Sequence, residues 1–204
     1  MNHKGTIVIE SERLILRPFT EADIEAVYRN WGGDPEVSKY LHWPRHRDVE
    51  DSREVISMWI DGYKKPDFYQ WAIVPKDLGE NIGTISIVSM NEKIDMLHFG
   101  YCIGSKWWRK GYTSEALSAI LPFLFDEIGA NRVESQHDPE NINSGRVMLK
   151  CGLKFEGRLR QAEKTTRGIV DSCVYSILKS ELVYRITQRS ELFAAVFESL
   201  TGKK

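Results

Sequence analysis

Residues 107–117, WWRKGYTSEAL, place one glycine between two basic residues and the start of an apolar helix pattern. The first backbone N–H groups of a helix have no intrahelical partner and lie at the positive end of its dipole. Gly111 has no Cβ that would keep an anion from the backbone, and Arg109 and Lys110 add positive charge. The segment therefore predicts a phosphate-binding loop. A tight turn with solvated cations is the alternative, since neither the Walker nor the Rossmann glycine pattern is present.

The histidines and cysteines do not follow a metal-binding pattern. His42 and His46 are four residues apart, but a proline between them disfavours the helix that would bring them together. Cys102, Cys151 and Cys173 are widely separated and odd in number, so they indicate neither a disulfide framework nor a zinc site. A covalent acyl-enzyme is disfavoured because no histidine–acid partner is evident for Cys102 or Cys151. We expect reduced thiols and no bound metal.

The composition is that of a soluble globular protein. The chain has 204 residues, of which 28% are charged and 42% hydrophobic, and this length suffices for one domain with a substantial core. A net charge of −1 provides no overall basic field, so direct nucleic-acid binding is not expected and any anion site must be local. No apolar run approaches the roughly 20 residues of a membrane-spanning helix, and the N-terminus lacks an apolar signal segment. We expect a cytoplasmic protein without membrane contact.

Helix and strand patterns alternate along the chain, which predicts an α+β fold around one sheet. After Gly111, apolar residues recur at helical spacing as far as Ile128, and Pro122 is expected to bend this helix. In chain order the predicted elements are a strand at 13–19, helices at 20–31 and 48–65, strands at 69–76, 82–90 and 96–104, the helix after Gly111, a strand at 132–137, a helix at 143–151, strands at 154–161 and 170–178, and a helix at 181–200.

Three segments together resemble the GNAT family of acyl-CoA-dependent N-acyltransferases. They are ERLILRPFTEAD near the N-terminus, FGYCIGSKWWRKGYTSEAL around the glycine loop, and NRVESQHDPENINSGRVMLKCGLKFEGRLR after it. Their order and spacing are most similar to the RimJ/RimL-like branch, which acetylates protein N-termini and various small amines. The resemblance extends from about Ser11 to about Leu182.

The resemblance implies one GNAT domain at residues 1–180, with a mixed, mostly antiparallel twisted sheet whose central strands splay apart between flanking helices. Residues 181–204 are predicted to form a C-terminal helical extension with a short polar tail, which either packs on the domain or forms a dimer contact. The implied reaction transfers the acetyl group of acetyl-CoA to a primary amine by direct attack on the thioester. The amine is implied to be a protein N-terminus, such as that of a ribosomal-protein-like substrate, or a small-molecule amine. A non-catalytic acyl-CoA-binding or scaffold protein with the same fold is the alternative.

The family's phosphate loop follows Q/R-x-x-G-x-G/A, which falls here on Trp108, Gly111 and Thr113. Only the glycine matches strictly, although the flanking basic residues and Glu115 match the RimJ-like variant. The loop amides are implied to hold the pyrophosphate of coenzyme A, and the preceding strand to pair its backbone with the pantetheine arm. The residues implied to contact coenzyme A are Tyr101, Cys102, Ile103, Trp108, Arg109, Lys110, Gly111, Tyr112, Thr113, Ser114, Asn141 and Ser144.

The resemblance also implies two catalytic candidates. Many family members protonate the leaving thiolate with a tyrosine seven residues after an asparagine, but Met148 stands seven residues after Asn141. The RimJ/RimL branch has N-x-x-S, matched by Asn141 and Ser144, so Ser144 is a candidate to hydrogen-bond the sulfur; a helix-capping serine is the alternative. His98 stands three residues before Tyr101, where RimJ-like sequences often have a glutamate, and is the candidate base. Deprotonation through water and a half-buried structural histidine are the alternatives.

The acceptor site is implied to lie opposite the cofactor. Its expected parts are the loop with Tyr40, Leu41 and Trp43, and the final strand pair with its turn, 158–171. Trp43 forms either an aromatic wall of this site or ordinary packing. The expected partners are the amine acceptor and, if the chain is a homodimer rather than a monomer, a second copy.

Overall fold

The computed structural model describes residues 1–182, which fold around one sheet of eight strands. The strands are β1 (Ile9–Glu10), β2 (Leu14–Arg17), β3 (Gln70–Pro75), β4 (Gly83–Asn91), β5 (Met96–Ile103), β6 (Arg132–His137), β7 (Lys154–Thr165) and β8 (Gly168–Leu178). Their order is β1-β2-β3-β4-β5-β6-β8-β7, and among these strands only β5 and β6 pair in parallel. The predicted α+β fold with a mostly antiparallel sheet is confirmed. The predicted helix 181–200 and extension 181–204 lie outside the described residues, apart from their first two residues.

Helices pack on both faces of the sheet. They are α1 (Ile24–Val27), α2 (Pro35–Ser38), α3 (Val49–Gly62), α4 (Tyr112–Pro122) and α5 (Ile142–Lys150). On one face, α4 buries Leu117 and Ile120 in the same cluster as Trp71, whereas α1 and α3 bury Val27 and Ile56 on the other. Each such side chain contributes roughly 1.5–3 kcal/mol through removal of apolar surface from water. Within residues 1–182, none of the helices combines the length and apolar character needed to cross a bilayer.

Two predicted helices are not regular α-helices throughout. The first consists of a 3-10 turn (Glu21–Asp23), α1 and a π-helical turn (Tyr28–Gly32). The second is regular as far as Pro122 and continues as a π-helical turn (Phe123–Glu127). Proline has no N–H and its ring crowds the carbonyl four residues earlier, so the regular hydrogen-bond pattern is interrupted there. The wider turn allows the apolar face to remain buried as far as Ile128.

Short elements and the final hairpin differ most from the predicted boundaries. The sequence pattern missed β1 and α2, which have two and four residues and are too short for a periodic signal. The final pair extends well beyond the predicted 154–161 and 170–178, because β7 and β8 remain paired as far as Thr165 and Gly168. This long hairpin carries its turn towards the loop after α2.

The central strands diverge, as predicted. β5 and β6 pair only at residues 96–98 and 132–134. Just beyond, Ser135 Oγ donates to the carbonyl oxygen of Phe99 at 2.6 Å, so a side chain replaces the next ladder bond. β6 pairs with β8 along its whole length, and beyond Glu134 it separates from β5. The β6-facing edge of residues 100–103 is therefore left without a strand partner.

Candidate active site

A cavity of about 630 Å³ opens where β5 and β6 diverge. Its walls come from the end of β5, the loop into α4, the first turns of α5 and the segment that begins in α2. Four separate stretches of chain therefore meet at one place. The predicted coenzyme A contacts that line it are Tyr101, Cys102, Ile103, Trp108, Arg109, Gly111, Tyr112, Thr113, Ser114, Asn141 and Ser144. Lys110 belongs to the same loop but does not line the cavity.

The loop before α4 leaves a row of backbone donors unused. Arg109 and Gly111 adopt left-handed conformations, with φ of 62° and 83°. Gly111 is the N-cap residue of α4 and supplies no side-chain acceptor. Within the described residues, the backbone N–H groups of 109–114 have no hydrogen-bond acceptor. A left-handed arginine costs on the order of 1 kcal/mol or more, and such a loop at a helix N-terminus forms a concave anion site.

Arg13, which was not among the predicted site residues, directly precedes β2 and contacts this loop. Its guanidinium donates to the Lys110 carbonyl oxygen at 3.1 Å and to the Glu115 carboxylate at 2.7 Å, and lies 4.7 Å from the centroid of the Tyr112 ring. Burial opposes the ionisation of Glu115. Hydrogen bonds from Arg13 and Ser11 outweigh it and hold the pKa of Glu115 below its ordinary value. The Arg13–Glu115 contact joins residues 102 positions apart, so no local sequence pattern predicts it.

Two basic side chains of α5, Arg146 and Lys150, line the same cavity and were also missed. A Cβ on Gly111 would lie 3.4 Å from Arg13 Nη2 and 4.0 Å from Lys150 Nζ, so both cations approach the glycine. In the part of the chain that the structure describes, Arg109, Arg146 and Lys150 form no ion pair. Unpaired cations around one cavity of a protein with net charge −1 indicate an anionic ligand.

The comparison with known families agrees with this geometry. Residues 13–154 match the family model described as an acetyltransferase (GNAT) domain, which is more than half of the chain. The chain belongs to the GNAT acetyltransferase family. Its reaction class is acetyl-CoA-dependent N-acyl transfer, with acetyl-CoA as co-substrate.

Individual GNAT relatives cover most of the chain. The uncharacterized N-acetyltransferase p20 of Bacillus licheniformis is 31% identical over 171 residues, which are 84% of this chain and 96% of that protein. The crystal structure of a GNAT-family acetyltransferase from Bacillus anthracis matches with a TM-score of 0.75 and 28% identity, over 86% of this chain and 100% of that one. The [ribosomal protein uS5]-alanine N-acetyltransferase of Escherichia coli is 26% identical over 103 residues, 50% of this chain and 53% of that protein. The resemblance to the RimJ/RimL-like branch is confirmed.

In this GNAT chain, Ser144 meets a tyrosine from the neighbouring strand. Tyr101 donates to the Ser144 carbonyl oxygen at 2.8 Å, and the two hydroxyl oxygens are 3.0 Å apart. Burial raises the pKa of Tyr101, so its hydroxyl keeps its proton. Asn141 is the N-cap residue of α5 and lines the cavity, whereas Met148 is fully buried in the core. A tyrosine therefore reaches the start of α5 from β5 rather than from α5 itself.

His98 lies outside the cavity lining. It occupies the last paired position before β5 and β6 diverge, opposite Glu134. Its Nδ1 is 3.5 Å from Glu134 Oε1, and the two side chains are 16% and 19% exposed. Because side chains alternate along a strand, His98 and Tyr101 lie on opposite faces of the sheet. Glu134 was not a predicted site residue, since its position beside His98 depends on the parallel pairing.

Of the three residues expected in the acceptor loop, two line the cavity and one does not. Tyr40 and Leu41 line the cavity. Trp43 does not; its ring centroid lies 6.1 Å from that of Trp31 and 5.5 Å from that of His46, in the cluster under α1 and α3. The structure thus places Trp43 in the packing that supports the loop rather than on the cavity wall.

The cysteines near the cavity are poor nucleophiles. Burial raises the pKa of the Cys102 thiol to about 12, so little thiolate exists near neutral pH. The Cys151 thiol donates to the carbonyl oxygen of Ser114 at 3.2 Å. Within residues 1–182, no group of three or more His, Cys, Asp or Glu side chains is arranged to hold a metal ion.

Proposed function

We propose that this protein transfers the acetyl group of acetyl-CoA to a primary amine, on a protein N-terminus or a small molecule, by direct attack of the amine on the thioester. The observation that carries the proposal is the row of unused N–H groups at 109–114, beside unpaired cations and at the open end of the gap between β5 and β6. An anionic group suits the loop and an extended arm suits the gap. Coenzyme A has both parts.

In this proposal the loop and α5 hold the phosphates from two sides. The N–H groups of 109–114 donate hydrogen bonds to the pyrophosphate, and Arg109, Arg146 and Lys150 supply positive charge. The pantetheine arm pairs with the free edge of residues 100–103, where amide and carbonyl groups lack a strand partner. Asn141 hydrogen-bonds the arm from the opposite side of the gap.

The transfer forms a C–N bond and breaks a C–S bond, and three sites on the reactants require help. The ammonium must lose a proton, the carbonyl oxygen gains negative charge, and the leaving sulfur needs a hydrogen-bond donor. We propose that Ser144 donates the hydrogen bond to the leaving sulfur, and that Tyr101 positions the Ser144 hydroxyl. A backbone N–H near Ile103 is assigned to the carbonyl oxygen. The amine proton leaves either through His98, which lies on the face of the sheet opposite Tyr101, or through water.

His98→Gln is expected to lower kcat about tenfold or more while the Kd for acetyl-CoA changes less than about twofold. The reason is that His98 lies outside the cavity lining and serves only the amine proton. Rates measured between about pH 6 and 9, together with a titration of acetyl-CoA, test this. The matched control is His3→Gln. It removes another histidine–glutamate contact, in which His3 Nε2 lies 2.7 Å from Glu92 Oε1, and His3 is far from His98 in the sequence. An unchanged pH–rate profile in His98→Gln would leave water as the only route for the proton.

The acceptor class is tested with a panel of amines. It contains peptides with a free N-terminal alanine or serine, and spermidine as a small polyamine; a thiol reagent follows coenzyme A release. The relative named for acetylating alanine of ribosomal protein uS5 is the reason to include the alanine peptide. Product on a peptide identifies a protein N-terminal acceptor, and product on spermidine identifies a small amine. Acetyl-CoA that neither stabilises the protein nor reacts with any amine would refute the proposal.

A further inference from the structure

The turn of the β7–β8 hairpin is attached to one wall of the cavity. The backbone N–H of Thr166 donates to the Leu41 carbonyl oxygen at 2.9 Å. Thr166 Oγ1 lies 3.0 Å from the Ser38 carbonyl oxygen and 2.9 Å from that of Lys39. Three contacts therefore hold the turn against the last residue of α2 and the segment that follows it.

The next residue, Arg167, is attached to the opposite wall. Its Nη1 donates to Asp138 Oδ2 at 2.9 Å, and its Nη2 contacts the Glu140 carboxylate. The Asp138 side chain is only 2% exposed, and the Asp138 carbonyl oxygen accepts the N–H of Asn141 at 2.8 Å. Arg167 thus holds the loop that leads directly into Asn141 and α5.

Arg167 also contacts the first wall, since its Cζ lies 5.6 Å from the centroid of the Tyr40 ring. Tyr40 and Leu41 line one side of the cavity, and Glu140 and Asn141 line the other, whereas Arg167 itself is not part of the lining. We propose that Arg167 is a positioning residue that fixes the Tyr40 wall relative to the Asn141 loop. Its effect on catalysis rests on the proposed function, but its effect on the two walls does not.

The chemistry of arginine suits this position. A guanidinium can donate to two carboxylates in its plane and still place a face on an aromatic ring, which an ammonium cannot do. Asp138 receives one further hydrogen bond, from the N–H of Glu140 at 2.9 Å, and Arg167 is its only cationic partner within the described residues. Without Arg167 a buried carboxylate is left uncompensated, and the loop before Asn141 must rearrange to hydrate it.

The first test measures amide hydrogen exchange without any ligand. We compare the wild type, Arg167→Gln, and the control Arg53→Gln, which removes an arginine from an exposed ion pair on α3. In Arg167→Gln, exchange is expected to accelerate at least about fivefold both in segment 36–43 and in segment 138–144. The control is expected to match the wild type in both segments. Acceleration confined to the hairpin turn would overturn the proposal.

The second test separates positioning from general destabilisation. Steady-state kinetics use the alanine peptide and spermidine as acceptors. Arg167→Gln is expected to lower kcat/KM for the accepted amine about tenfold, with the KM for acetyl-CoA within about twofold of the wild type. If the KM for acetyl-CoA rises by the same factor by which kcat/KM for the amine falls, Arg167 has a merely structural role and positioning is refuted. If the wild type acetylates neither probe, the amine proposal fails for these acceptors, and hydrogen exchange still decides the role of Arg167.

Discussion

Gly111→Asp is expected to abolish measurable acetyl-CoA binding, with a Kd raised at least about a hundredfold. Gly111 has a φ of 83°, which an L-residue adopts only with strain. The new carboxylate would also stand among unused N–H groups and near the cations that we assign to phosphate. The measurement is a thermal-shift titration. Acetyl-CoA at about 100 times Kd should stabilise the wild type by roughly 2.7 kcal/mol, a rise of about 5–10 °C for a chain of this length, and the variant should show no rise.

Gly129→Asp is the matched control for this experiment. Gly129 has a φ of 84°, and apart from Gly129 and its two chain neighbours no heavy atom of the described residues lies within 4 Å of the position that its Cβ would occupy. The control therefore introduces the same residue at nearly the same positive φ, at a position that does not line the cavity. It should retain the full shift with acetyl-CoA. A full shift in Gly111→Asp would show that WWRKG is a turn and not the phosphate site.

Ser144→Ala is expected to lower kcat by about tenfold to a hundredfold with little change in the Kd for acetyl-CoA. A hydroxyl that stabilises the leaving sulfur acts mainly in the transition state, so its loss affects turnover rather than binding. Tyr101→Phe should reduce kcat by a smaller factor, because it removes only the group that orients Ser144. The two hydroxyl oxygens are 3.0 Å apart, so the double variant should lose less than the sum of the single losses in free energy.

Ser118→Ala is the control for Ser144→Ala. Ser118 is an exposed serine on α4 whose hydroxyl contacts Cys151 at 3.5 Å, and its removal should leave kcat unchanged. The pH dependence gives a second check. Since burial raises the pKa of Tyr101, no loss of activity from its ionisation is expected below about pH 10. Wild-type turnover in Ser144→Ala would mean that the sulfur obtains its proton from solvent.

Local patterns were sufficient to predict most elements of this fold. The amphipathic spacing after Gly111 predicted α4, and RVESQH predicted β6 with its observed bounds, Arg132–His137. A helix and a strand differ in backbone period, and that period is visible within one segment. The same holds for the loop before α4, where a glycine, two cations and a helix start are adjacent in the chain. Pro122 was expected to bend this helix; what the structure has directly after it is a π-helical turn, which the sequence did not predict.

The tertiary structure alone decided which side chains meet at the site. Arg13 reaches Glu115 across 102 positions, and Tyr101 reaches Ser144 across 43. Trp43 is packed under the helices although its sequence neighbours line the cavity. Such contacts depend on strand order, on register and on where β5 and β6 part, and none of these is encoded in the spacing of nearby residues. The sequence by itself predicted most of the elements, the family resemblance and a phosphate loop; the packing of the sheet determined which side chains surround that loop.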